Sequence, residues 1–326
     1  MLAERGARVF GTVRDPKSAR PIHGVEIIRM DVTDDASVSA AVQGVVRLAG
    51  PVQILVNNAG YSLTGALEET SLTEARQQFE TNFFGVLRVT NAVLPGMRQA
   101  GYGRIVNISS LVGFIPAPYM GIYAASKHAV EGYTWTLDHE VREFGVRAVL
   151  VEPAYTKSKI TQNEKTAQTA LKEYAVQRQR MREAVQKGIE HGDEPLLVAE
   201  AVLRSLTMKS PRLRYPVGKA VLLGRLLRFI PACVFDRAIR RESQPRTNRP
   251  IWTSCKRLRS RWSDSRRGRR SRSVQNSGPA KRCSFPQVRA ALARSRFNLR
   301  NTSEQKLGRP RAPATWLWSG ASEQMR

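Results

Sequence analysis

Tyr123 and Lys127 stand four residues apart, Ser110 precedes the tyrosine by thirteen, and Asn57-Asn58-Ala59-Gly60 lies upstream. Residues at i and i+4 share one helix face, with Cβ atoms roughly 5–6 Å apart. An ammonium held beside a phenol favours the phenolate, so this spacing predicts a Tyr123 pKa below its reference of about 10. A phenol tuned towards neutrality can pass a proton to or from a ketone or alcohol oxygen. Taken alone, Tyr-x-x-x-Lys is more often two residues on a solvated helix face, so the surrounding elements decide.

Those elements alternate. Apolar β-rich runs at 8–13, 25–30, 52–56, 104–108 and 147–151 are separated by stretches of helical spacing at 34–48, 72–99 and 121–144. Such alternation predicts an α/β fold, a doubly wound parallel sheet covered by helices on both faces. Near-continuous Ile, Leu and Val in the runs agrees, because strands of such sheets are buried on both sides. Ser110 and Asn57 to Gly60 each follow a predicted strand, at the carboxyl edge where open α/β sheets bind ligands. Further on, 155–192 is polar and helix-prone, 194–208 is an amphipathic helix, 214–217 a short edge strand, and 219–241 a basic Leu-rich helical stretch.

Composition divides the chain. Residues 1–242 carry 32 Lys/Arg and 24 Asp/Glu, whereas residues 243–326 carry 21 and 3, so most of the +26 net charge sits in the tail. The tail is Arg, Ser, Pro and Trp with little apolar periodicity, and is expected to be disordered. Domain one is thus 1–242 and the tail 243–326. Arg-rich disordered segments bind phosphates, which makes nucleic-acid binding a rival function for the tail; the bland reading, a tail without function, is preferred. Cys233, Cys255 and Cys283 lack CxxC spacing and His23, His128, His139 and His191 lack ligand spacing, so neither a disulfide framework nor a metal site is expected. No signal peptide or membrane-spanning run is read, and a cytoplasmic protein is expected.

Together these residues resemble the classical short-chain dehydrogenase/reductase family over 1 to about 241. The resemblance rests on Asn57-Asn58-Ala59-Gly60, Asn82 in Thr81-Asn82-Phe83-Phe84-Gly85, Ser109-Ser110, Tyr123-Ala124-Ala125-Ser126-Lys127 and Glu152-Pro153. It implies a Rossmann-like oxidoreductase that moves a hydride between a nicotinamide cofactor and an alcohol or ketone. Tyr123 would be the acid/base, and Lys127 would tune it and hold the nicotinamide ribose. Ser110, preferred over Ser109 by its spacing, would hold the substrate oxygen. Asn82 would support a proton relay. Asn58, Ala59, Gly60, Asp31, Val32, Pro153 and Ser158 would contact the cofactor. Arg14 ends the first run where an acid would bind ribose hydroxyls, and an arginine there accommodates a 2′-phosphate, so NADP is favoured over NAD. Ala154 replaces the usual glycine after Pro153. The substrate is expected to be apolar, steroid-, retinoid- or lipid-like. The small residues Ala124, Ala125, Ser126 and Ala129 suit packing on the sheet and also a homo-oligomer interface.

The family opens with a strand and a Thr-Gly-x-x-x-Gly-x-Gly loop whose backbone cradles the pyrophosphate. Neither precedes Arg8 in this chain. Strand one is central in the order 3-2-1-4-5-6, so its loss is expected to leave a gap of roughly 9–10 Å between its neighbours. Poor folding or weak cofactor binding is expected, with a cofactor-deficient pseudoenzyme or a fragment from a damaged reading frame as alternatives.

Overall fold

The computed structural model describes residues 3–157, 164–221 and 315–319. All of them belong to one compact unit. The expected domain boundary at 242/243, Ser158 and the helical stretch beyond residue 221 lie outside the described residues.

The strands are β1 (Arg8–Val13), β2 (Val25–Arg29), β3 (Ile54–Asn57), β4 (Leu63–Thr64), β5 (Gly103–Ile108), β6 (Val146–Pro153), β7 (Lys165–Thr166), β8 (Arg214–Val217) and β9 (Thr315–Ser319). The α-helices are α1 (Asp35–Ala49), α2 (Leu72–Phe79), α3 (Gly85–Ala100), α4 (Gly121–Val141), α5 (Ala175–Glu190) and α6 (Pro195–Thr207). Seven strands form one sheet in the order β2-β1-β9-β3-β5-β6-β8, every pairing parallel, and β4 and β7 form a separate pair.

The expected doubly wound sheet is present, but the expected gap is not. Residues 315–319 of the tail, expected to be disordered, form β9 between β1 and β3. Val9 and Ile54 both register with Trp316, and Gly11 and Val56 both register with Trp318. The reason is local: Thr-Trp-Leu-Trp-Ser is β-branched and aromatic, the composition that fits a pleated buried surface. The ends of β9 are pinned by side chains as well, with Thr315 Oγ1 donating to Ala49 O at 2.9 Å and Thr12 Oγ1 donating to Trp318 O at 3.1 Å.

Alternate residues of each strand feed two cores. Phe10, Leu55, Ile105 and Leu317 pack with Val38, Val42 and Val45 of α1 and Val89, Val93 and Met97 of α3. Val9, Ile54, Val56, Val106 and Trp316 point the other way, towards Val202 and Leu206 of α6. Burying each such side chain contributes roughly 1.5–3 kcal/mol.

Helix ends follow from sequence. The Asp34 carboxylate accepts from Ala36 N and Ser37 N at the start of α1. Ser71 and Glu74 form a capping box at the start of α2. α3 stops at Gly101 in the left-handed conformation, φ 64°. The single helix expected over 72–99 is interrupted: Glu80–Phe84 winds as a π-helix between α2 and α3. Such one-turn expansions inside helices recur at functional sites.

Among the described residues no helix is long and apolar enough to cross a membrane, and no group of three or more His, Cys, Asp or Glu is placed to hold a metal ion.

Candidate active site

The carboxyl ends of β3, β5 and β6 and the first turns of α4 bring the sequence-flagged residues together. Ser110 follows β5 and begins a short 3-10 turn, its Oγ accepting from Val112 N at 3.4 Å. Tyr123 and Lys127 occupy successive turns of α4, 6% and 7% exposed. Lys127 Nζ donates to Ile108 O at 2.8 Å, which ties α4 to the last residue of β5.

A buried amide ladder fixes the register beneath them. Asn57 Nδ2 donates to Asn107 Oδ1 at 2.8 Å, and Asn107 Nδ2 donates to Thr134 Oγ1 at 2.8 Å. It links β3, β5 and α4 through groups that cost free energy if left unpaired.

The π-turn aims Asn82 at the loop after β3. Asn82 Oδ1 accepts from Tyr61 N at 3.1 Å, and its Nδ2 donates to Tyr61 O at 3.0 Å and Ser126 Oγ at 3.3 Å. Gly60 makes the close passage possible: a Cβ there would stand 3.1 Å from Asn82 Oδ1 and 3.8 Å from Lys127 Nζ. Asn58, Ala59 and Gly60 are half-buried along this path.

The electrostatics depart from the spacing argument. Burial pushes Tyr123 up to about 12, with the Ser110 hydroxyl acting in the opposite sense. Burial pushes Lys127 down to about 8, opposed by the charge of Glu131. The lysine therefore does not lower the tyrosine here. Its Nζ lies 5.9 Å from the centre of the phenol ring and is engaged with Ile108 O. Desolvation is the dominant cause at both groups.

The other expected contact residues are spread along the same edge. Arg14 is exposed just after β1, and Pro153 ends β6. Asp31 follows β2, but its Oδ1 accepts from Thr33 N at 2.9 Å and Thr33 Oγ1 at 2.8 Å, so the carboxylate shapes its own turn. Val32 is buried against α3, where a Cβ on Gly85 would meet Val32 Cγ2 at 2.9 Å. A crevice too narrow to admit a water molecule is lined by Val32, Asn57, Ala59, Gly85 and Ser319.

Two features escaped the sequence. Ser319, from β9, reaches this edge; the only sequence signal was a short Trp-Leu-Trp run. Beneath Lys127, Glu131 and Glu152 are 5% and 3% exposed and both accept from Arg214 Nη1. Burial raises both carboxyls, Glu152 to about 7. Nothing in sequence pairs residues so far apart.

The donor set suits the ribose and nicotinamide end of a dinucleotide. Lys127 keeps ammonium protons beyond the one given to Ile108. Among the described residues no glycine-rich turn supplies backbone donors for a pyrophosphate.

The short chain dehydrogenase family model matches residues 1–169. A 3-ketodihydrosphingosine reductase of Bacteroides thetaiotaomicron is 37% identical over 246 residues, 74% of this chain and 90% of the relative. The crystal structure of a short-chain dehydrogenase from Streptomyces avermitilis superposes with a TM-score of 0.62 at 30% identity, covering 81% of this chain and 90% of that one. A short chain dehydrogenase/reductase from Burkholderia phymatum, solved in complex with NAD, gives a TM-score of 0.56 at 28% identity over 69% and 80%. With the parallel sheet and the convergent serine, tyrosine and lysine, these matches establish that the chain belongs to the short chain dehydrogenase family of NAD(P)-dependent oxidoreductases.

Proposed function

We propose that this oxidoreductase interconverts an apolar ketone and its alcohol using NADP(H). The observation that carries the reading is the convergence of Ser110, Tyr123 and Lys127 where β5 ends and α4 begins. When bound, the nicotinamide supplies the hydride, which no side chain can carry.

The chain's own residues supply the rest. Tyr123 Oη gives the carbonyl oxygen its proton, or removes it in the reverse direction. Ser110 Oγ donates to the same oxygen and stabilises the charge that develops there. Lys127 Nζ holds ribose hydroxyls, and its charge, once beside the phenol, favours the phenolate. Asn82 serves as a positioning residue, because its amide is occupied in fixing the Tyr61 backbone. Asn58, Ala59, Gly60, Val32, Asp31, Pro153 and Ser158 contribute to the cofactor surface.

Two observations favour an apolar substrate. Leu67 is 65% exposed yet lies against Gly121, two residues before Tyr123, where a Cβ would meet its Cδ2 at 2.5 Å. The Bacteroides relative is named as a reductase of 3-ketodihydrosphingosine. The exposed Arg14 guanidinium at the end of β1 favours a 2′-phosphate over a free ribose hydroxyl.

The test is reduction of long-chain and short polar ketones by the full chain with NADPH or NADH. Turnover of the long-chain ketone with NADPH is expected, abolished by Tyr123→Phe. Arg14→Asp should move the NADPH/NADH preference towards NADH by tenfold or more, about 1.4 kcal/mol. An unchanged preference would remove the case for NADP.

A further inference from the structure

We propose that the slot between β1 and β3 is a strand-accepting site, that its occupant is Thr315–Ser319, and that docking of this strand builds the cofactor edge. The cofactor clause rests on the function proposed above; the strand clause does not.

Among the described residues β9 is the sole hydrogen-bonded link between the strand pair β2-β1 and the strand set β3-β5-β6-β8. Removing it would leave two buried strand edges roughly 9–10 Å apart, too far to pair with each other. The fit is two-sided. Leu317 is fully buried in the core under α1 and α3, and Trp316, 8% exposed, enters the opposite core. The seating has a cost, because neither the Trp316 nor the Trp318 indole N–H has a hydrogen-bond partner among the described residues. Each such group opposes docking by about 1–3 kcal/mol, comparable to the gain from one buried side chain. These two groups offset only part of what the paired edges on both sides and the burial of Leu317 and Trp316 contribute.

Docking reaches the site through its last residue. Ser319 O and Ser319 Oγ both accept from Asn58 N at 3.2 Å, and Ser319 Oγ donates to Val56 O at 3.2 Å. Asn58 opens the loop that runs through Gly60 to Lys127, and Ser319 also lines the crevice beside Val32 and Ala59. The tail strand thus sets the backbone position of the loop proposed to meet the cofactor.

The experiment compares the full chain with Leu317→Asp and Leu317→Met by amide hydrogen exchange without cofactor. In Leu317→Asp the amides of β1 and β3 should exchange more than tenfold faster, and a synthetic peptide of residues 312–322 should restore their protection. Leu317→Met should match the parent. Unchanged β1 and β3 protection in Leu317→Asp overturns the proposal. So does faster exchange, local or throughout, that the peptide fails to reverse. A second arm titrates NADPH into the same proteins: weakening of at least tenfold by Leu317→Asp, reversed by the peptide, is expected. Equal affinity in parent and Leu317→Asp overturns the cofactor clause. Absence of binding to the parent itself defeats the proposed function and leaves the exchange result standing.

Discussion

Lys127 and Tyr123 share a face of α4 without sharing a hydrogen bond: the ammonium donates to Ile108 O at 2.8 Å, 5.9 Å from the centre of the phenol ring. With Tyr123 at about 12, the cofactor-free protein should form no tyrosinate at this position near neutral pH. The difference between parent and Tyr123→Phe in a spectrophotometric pH titration checks this. A tyrosinate near neutrality that vanishes in Tyr123→Phe would contradict it. Lys127→Met should leave that titration almost unmoved while lowering turnover by about 10²-fold or more.

Asn82→Ala should expose the cost of the π-turn. Tyr61 O keeps Gln78 Nε2 as a donor at 2.8 Å, but Tyr61 N loses its acceptor. An abandoned buried amide costs about 1–3 kcal/mol. Denaturant unfolding should show a loss of that size, and Asn82→Asp, which keeps an acceptor, should lose less.

The Glu131–Arg214–Glu152 cluster predicts a pH dependence of stability. Burial, and then the charge of neighbouring Glu131, push Glu152 up to about 7 from the ordinary 4.5. The folded state holds the proton more tightly, so this contribution is full below pH 4.5 and is lost as the pH rises through 7. Glu152→Gln should flatten that fall and make the protein more stable than its parent above pH 7, by roughly 1–3 kcal/mol. Unfolding midpoints at pH 5 and pH 8 decide; a parent that gains stability across this range would refute the assignment.

Glu69 governs the segment in front of the site. Its carboxylate accepts from Leu171 N at 2.8 Å, Ala66 N at 2.8 Å and Arg178 Nη1. Burial alone would raise its pKa; the two amides and the guanidinium hold it below the ordinary value. This contribution is present above pH 4.5 and lost as the pH falls through the folded pKa. Glu69→Gln should speed hydrogen exchange of 165–190 while β5 and β6 stay protected. Uniform protection in the variant would show that the anchor lies elsewhere.

Most of the sheet was legible because β1, β3, β5 and β6 are buried on both faces and so read as continuous apolar runs. The Tyr123–Lys127 pairing was legible from the helical repeat. Its electrostatics were not, because spacing reports proximity but not desolvation. Asn82 was visible as a motif, yet the extra residue in its turn leaves no mark in apolar periodicity. Arg214 meets carboxylates 62 and 83 residues away, a relationship created by strand order alone. β9 was hidden by averaging: five pleat-forming residues sit in a stretch whose Arg and Ser dominate any composition window.

The Thr12–Trp318 hydrogen bond spans 306 residues. The middle of the sheet is therefore translated after both of its flanks. Until β9 leaves the ribosome, the nascent chain carries two unpaired parallel edges, and such edges recruit strands from other molecules. Pairing that must wait for so large a loop to close is slow. Yield during synthesis should therefore depend on how soon β9 docks between β1 and β3.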